Sequence, residues 1–123
     1  MPHSRSRFGT LAENYAAVYL ASQGYRVLEH NVRTPVGELD LVARKGREVV
    51  FVEVKARSTH AYGSPEESVN RAKQRHLIRS AQAYMAKHRA LRGSPYRIDV
   101  IAITWRGDAE PEVVHIPNAV GEI

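Results

Sequence analysis

Cysteine is absent from the chain, which excludes a disulfide framework, thiolate catalysis and every zinc site that needs a thiolate. Long apolar runs are missing too. The longest uncharged stretch, Asn14 to Tyr25, falls well short of the roughly 18–20 residues of a membrane span. The opening MPHSRSRFGT holds no apolar stretch of the kind a secretory signal needs. Six histidines show no H-x-x-x-H or H-E-x-x-H spacing, so imidazole ligation of a metal is not expected. No repeat, low-complexity tract or linker divides the 123 residues, and 43% hydrophobic content suffices for a core. These absences predict a single soluble, cytoplasmic domain spanning 1–123, with no membrane partner and with residues 1–8 flexible.

Acid is missing from one segment in particular. Residues 71–92 hold seven of the eighteen basic side chains and no Asp or Glu, so the rest of the chain carries a slight negative excess. A concentrated basic segment suits phosphate binding, and it equally suits a solvated helix face. Charge alone leaves both readings open.

Periodicity supplies the elements. Thr10-Leu11-Ala12-Glu13 has capping-box spacing, and Leu11, Tyr15, Val18 and Tyr19 follow a helical pattern that Gly24 would close. A strand is expected over Tyr25–Asn31, then a turn at Thr34-Pro35-Val36-Gly37. Glu38–Ala43 and Glu48–Ala56 read as a hairpin around Arg44-Lys45-Gly46-Arg47, followed by a loop over Ala56–Ser64 and a turn at Pro65. A helix spans Asn70 to Ala90, and strands cover Tyr96–Thr104 and Glu112–Ile116. The order is α-β-β-β-α-β-β, a mixed α/β sheet with helices on it. On the long helix, Leu77, Ile78, Ala81, Tyr84 and Met85 share one apolar sector. Arg71, Arg75 and Arg79 recur every four residues outside it, a row about 12 Å long.

Glu53-Val54-Lys55 is the most suggestive triplet. Residues i and i+2 of a strand share a face, which sets the Glu53 carboxylate beside the Lys55 ammonium. Asp40 joins them if the hairpin turns at Gly46-Arg47, directly opposite Glu53, or at Lys45-Gly46, diagonally. Two neighbouring carboxylates need a compensating cation. Lys55 alone would make a cross-strand ion pair; a hard divalent ion, Mg²⁺ or Mn²⁺, would make a metal site. Val49 and Phe51 on the same face indicate that it is covered.

Gly9-Thr10-Leu11-Ala12-Glu13, Gly24-Tyr25 with Asn31, Gly37-Glu38-Leu39-Asp40, Val50-Phe51-Val52-Glu53-Val54-Lys55 and Tyr62-Gly63 resemble the motifs of the bacterial YraN family. Lys73, Arg97-Ile98-Asp99 and His115-Ile116-Pro117-Asn118-Ala119 continue the resemblance over nearly the whole chain. That family is similar to the PD-(D/E)XK nuclease superfamily, with archaeal Holliday junction resolvases as characterised neighbours. The resemblance implies a restriction-endonuclease-like mixed β-sheet flanked by helices and Mg²⁺- or Mn²⁺-dependent hydrolysis of phosphodiester bonds, with DNA favoured and structured or branched DNA by analogy. It assigns Asp40 and Glu53 as metal ligands, Lys55 as the lysine of the E-x-K pair and Glu13 as a further acidic residue from the first helix. The Val54 carbonyl would complete the oxygen shell. Leu39 stands where the superfamily name has proline, and Ala56 and Ile98 replace the commoner Thr and Phe.

Several residues keep two readings. Glu13 serves as either the capping partner of Thr10 or a site carboxylate. Glu38 shares the strand face of Asp40, and Asp99 reads as a structural partner of Arg97. Lys73 and Gln74 open the long helix, either partly exposed or close to the scissile phosphate; with Arg71, Arg75 and Arg79 they form the expected nucleic-acid contact. The rival functions are a binding module of nuclease fold without efficient catalysis, and a protein-interaction factor. Cleavage of a junction by so small a domain would favour a two-fold homodimer.

Overall fold

β-Branched and aromatic residues dominate 49–54, and their alternation builds the central strand of the molecule. The computed structural model describes residues 7–58 and 70–120. In it α1 (Arg7–Ser22) precedes β1 (Arg26–Arg33), β2 (Glu38–Lys45) and β3 (Glu48–Arg57). Helix α2 (Arg71–Lys87) and a 3₁₀ turn (Arg89–Leu91) lead to β4 (Tyr96–Thr104) and β5 (Glu112–Ile116). The five strands lie side by side in chain order. Pairing is antiparallel except between β3 and β4, which run parallel because α2 crosses over the sheet between them. This is the expected mixed α/β sheet flanked by helices, in the order α-β-β-β-α-β-β.

The two faces of β3 bury different helices. Val50 and Val52 meet Ala12, Ala16 and Leu20 of α1, together with Ile101 and Ile103. Val49 and Phe51 meet Leu77, Ala81 and Tyr84 of α2, together with Val100. The hairpin turns at Gly46-Arg47, flanked by the Lys45–Glu48 pair, and Gly46 takes the positive φ of 60° that this two-residue turn requires. Of the two registers open in the sequence, this is the one that aligns Asp40 with Glu53, just beyond the last paired residues, Leu41 and Val52.

Some boundaries differ from expectation. Helix α1 begins at Arg7, so Arg7 and Phe8 are helical, and Thr10 lies inside the helix where it cannot serve as N-cap. The end of α1 follows expectation. Gly24 (φ 91°) donates to the Ala21 carbonyl, and the Tyr25 N–H reaches Leu20. β1 extends to Arg33 and β3 to Arg57. Helix α2 stops at Lys87, before the expected Ala90, because His88 leaves helical geometry while its ring Nδ1 bonds the Tyr84 carbonyl at 2.8 Å. The expected flexibility of residues 1–6, the Tyr62-Gly63 loop and the Pro65 turn lie outside the described residues. Among those described, no helix is long and apolar enough to cross a membrane.

Asp99 pins the far edge of the sheet. Fully buried on β4, it accepts from Arg97 Nε at 2.9 Å, His115 Nε2 at 2.8 Å and the Asn118 N–H at 2.8 Å. Tyr19 of α1 bonds the other ring nitrogen of His115 at 3.3 Å, which ties helix, β5 and β4 together. Burial opposes the Asp99 charge, but the bonds from His115, Arg97 and Asn118 outweigh it and hold the carboxyl below its ordinary 3.8. Its contribution is therefore complete above about pH 4 and is lost as pH falls through the folded pKa. We expect Asp99→Ala to lower stability by about 3–5 kcal/mol at pH 7, because Arg97 is left without its buried partner. Urea titration at pH 7 and pH 3 should show that deficit shrinking in acid. An equal deficit at both pH values would refute this role.

Candidate active site

The β2–β3 ladder ends at the Leu41–Val52 pair, just short of Asp40 and Glu53. Beyond it the Asp40 side chain replaces the missing main-chain partner, its Oδ2 accepting the Val54 N–H at 2.8 Å. A strand residue sends its N–H and C=O to the same edge, so the Val54 carbonyl also faces the gap. Glu53 stands beside it with a side chain only 6% exposed. Two ammonium groups converge on its Oε2: Lys55 Nζ from the same strand at 3.7 Å, and Lys73 Nζ from α2 at 2.6 Å.

Lys73 gets there because Asn70 starts the helix. The Asn70 side chain accepts the Lys73 N–H at 3.0 Å and fixes the first turn against the sheet. One and two turns on, His76, Leu77 and Ser80 continue the same face and wall a cleft of about 570 Å³. Gly37, Glu38, Asp40, Glu53, Val54 and Lys55 form the opposite wall. Ser80 is 1% exposed and its hydroxyl has no partner among the described residues, while a Cβ at Gly37 would stand 3.2 Å from that oxygen. The glycine thus lets the two walls close to contact at the base of the cleft.

Electrostatics follow from this crowding. Burial first, and then the neighbouring Asp40, push the Glu53 carboxyl up to about 6, although Lys73 pulls the other way. Burial and the nearby Lys73 charge lower the Lys55 ammonium from its ordinary value, against the opposing pull of Glu53. Burial works against Lys73 as well, but its bond to Glu53 prevails and raises its pKa.

Five residues singled out in the sequence, Asp40, Glu53, Val54, Lys55 and Lys73, come together here. Lys73, expected among the nucleic-acid contacts, engages the Glu53 carboxylate. Glu38 borders the cleft and pairs with Arg33 at 3.6 Å. Glu13 is buried (3% exposed) on α1, which packs on the other face of the sheet, and does not line the cleft. Gln74 is half-buried on α2 away from the cleft lining. Arg71 is exposed, and Arg75 and Arg79 border a second groove across the helix. His76 and Ser80 were not anticipated, although their spacing from Lys73 is helical and carried the signal.

Among the described residues no group of three His, Asp or Glu side chains is arranged to hold a metal. The donor set is two carboxylates and a carbonyl, all hard oxygens suited to Mg²⁺ or Mn²⁺. Lys73 already supplies a cation at one Glu53 oxygen, which an ion at that oxygen would have to displace.

A mixed sheet flanked by helices, with two carboxylates and Lys55 on its strands and Lys73 reaching in from α2 where β2 parts from β3, defines an α/β protein with a charged cleft at the sheet. The chain belongs to the family described as "Uncharacterised protein family UPF0102", whose model matches residues 12–103. A UPF0102 protein of Syntrophotalea carbinolica is 50% identical over 97% of this chain and 95% of its own length. One from Geobacter metallireducens is 44% identical over 95% and 93%, and one from Dehalococcoides mccartyi 40% identical over 99% of each. Among solved structures, an EndoMS chain in a dsDNA complex aligns with TM-score 0.40 and 16% identity over 80% of this chain and 37% of that one. SfsA of Pyrococcus furiosus in complex with Ca²⁺ aligns at 0.41 and 12%, over 93% and 65%. At these scores neither likeness bears on activity.

A carboxyl raised from 4.5 to about 6 binds its proton more readily folded than unfolded. Stability without metal should therefore fall as pH rises across that window, with the full penalty above it. Glu53→Gln is expected to gain about 2 kcal/mol at pH 7.5 and almost nothing at pH 4. Denaturant titrations in EDTA measure this, and a gain independent of pH would refute the assignment.

Proposed function

We propose that this protein is a metal-dependent phosphodiesterase acting on nucleic acid, with DNA the favoured substrate. The observation that carries the reading is the meeting of Asp40, Glu53 and Lys55 in one cleft, with Glu53 buried and its pKa raised. Asp40 and Glu53 would hold Mg²⁺ or Mn²⁺, with the Val54 carbonyl as a third oxygen. The ion, when bound, supplies a charge that polarises a phosphate oxygen and acidifies water.

The chain's own groups do the rest. The Val54 N–H fixes one Asp40 oxygen and so sets the orientation of that carboxylate beside Glu53. Lys55, its pKa lowered by burial, is suited to exchanging a proton with the attacking water or to neutralising charge that develops on the phosphoryl oxygens. Lys73 offers a second ammonium at the same edge. The sheet and α2 exclude solvent from the Glu53 side, which strengthens each of these interactions.

A second reading has its own observation. The 2.6 Å contact between Lys73 and Glu53 already compensates the carboxylate, as suits a nucleic-acid-binding fold without efficient catalysis. Calorimetry with Mn²⁺ separates the two. On the catalytic reading, Asp40→Ala or Glu53→Ala abolishes divalent binding while the fold persists. Lys55→Ala keeps the ion but lowers cleavage about 100-fold or more, because lysine is no ligand. A cleavage panel of linear, single-stranded, flapped and four-way DNA reads the second effect. Parent-rate cleavage by Lys55→Ala, or unchanged metal affinity in both carboxylate variants, would sink the catalytic reading.

A further inference from the structure

Helix α2 divides two concave surfaces. Lys73, Leu77 and Ser80 face the Asp40–Glu53 cleft, whereas Arg75, Arg79 and Gln82 lie on the far side of the helix, about half a turn around it. There they border a groove of about 970 Å³ whose other wall begins at Tyr96, the first residue of β4. Three observations bear on what this groove takes. First, Arg75 and Arg79, with Arg71 one turn earlier, are exposed and have no acidic partner among the described residues. Three other arginines do find acids: Arg33 pairs with Glu38, Arg106 with Glu112, and Arg97, in this same groove, with Asp99 and Glu48. Second, the first turn of α2 carries no acid, so its positive end and its bases add rather than cancel. Third, Tyr96 is 39% exposed, and its ring is steadied edge-on against buried Phe51 at 5.8 Å. An unpaired guanidinium row beside a fixed, solvent-facing aromatic ring is the combination that holds a strand of bases, by phosphate contact and by stacking.

We infer that the groove between α2 and β4 binds a single-stranded nucleic-acid segment, its phosphates on Arg75 and Arg79 and one base stacked on Tyr96. The site is separate from the Asp40–Glu53 cleft. It takes the class of ligand from the reading above but not the catalysis. A bound strand would lie across α2 from the carboxylates, so a substrate that reaches both surfaces must pass around the helix or present two arms.

Fluorescence anisotropy of a labelled 12-nucleotide single strand, in EDTA so that no cleavage can intervene, tests the site. Arg75→Gln with Arg79→Gln should make the slope of log K against log[salt] shallower by up to ~1.4, at ~0.7 per phosphate on a single strand. Tyr96→Ala should weaken binding about 5- to 100-fold. Because Tyr96 packs on Phe51, two further variants separate stacking from folding. Tyr96→Phe keeps the ring and should bind as the parent, while Tyr96→Leu keeps apolar bulk and should bind like Tyr96→Ala. An unchanged salt slope, or Tyr96→Leu binding as the parent does, overturns the inference. So does a poly-glutamate chain of equal charge that competes as well as the oligonucleotide, or a duplex of the same length bound as tightly. Cleavage in Mn²⁺ is scored separately: its loss with groove binding intact sinks the catalytic reading alone, and the converse sinks only the groove.

Discussion

Two carboxylates stand where β2 parts from β3, and the molecule is arranged around the cost of keeping them there. Directly opposed strand residues about 5 Å apart repel by roughly 3 kcal/mol when both are ionised at an effective dielectric of 20. Asp40 is anchored by the Val54 N–H, and Glu53 is buried under α2, so neither can swing away. The compensation comes from Lys73, on the helix that buries Glu53. Packing and charge are thus not separable here. The apolar sector of α2 that seats Leu77, Ala81 and Tyr84 on Phe51 is also what delivers an ammonium to the carboxylate.

Much of this was legible in the residues. The Gly46-Arg47 turn set the register, and strict alternation from Val49 to Lys55 then put Asp40, Glu53 and Lys55 on one face. Strands and their order follow from β-branched runs separated by Gly and Pro, a local signal. What was not legible is contact between elements far apart in sequence. Twenty residues separate Lys73 from Glu53, and nothing local says that a basic first turn will land on a buried acid. The start of α1 misled for a related reason. Thr10 and Glu13 have capping-box spacing, but residues N-terminal to them can adopt helix as well, and the structure extends it to Arg7. The resemblance-based role of Glu13 belongs with an element on the opposite face of the sheet.

Ser80 shows the other limit. A serine in an apolar helical sector reads as a filler, and only the approach of Gly37 reveals a buried hydroxyl without a partner among the described residues at the base of the cleft. Buried polar groups left unsatisfied cost on the order of 1–3 kcal/mol, and in native proteins they concentrate where a ligand or ordered water is expected. Its neighbours on the same helical face, Lys73 and His76, make that face polar where it meets the cleft and apolar beyond it.

Helix α2 therefore carries charge that its own stability opposes. Bases in a first turn oppose the helix dipole, by about 0.3–1 kcal/mol each when exposed. The Asn70 cap returns about 1 kcal/mol, and Lys73 recovers more through Glu53. Arg71 and Arg75 recover nothing inside the described structure, since no acid faces them. A segment that concentrates seven bases without one acid is tolerated in a marginally stable domain only if those charges cost little or serve a partner. The cost is smallest with the arginines on the solvent side of α2, where they lie. Neutralising them from outside, by phosphates laid along the helix, would relieve the dipole and the mutual repulsion together. A polyanion that binds this face should then also tighten the first turn of α2, and with it the hold of Lys73 on Glu53. That links the two sides of the helix through ordinary electrostatics, with no moving part required.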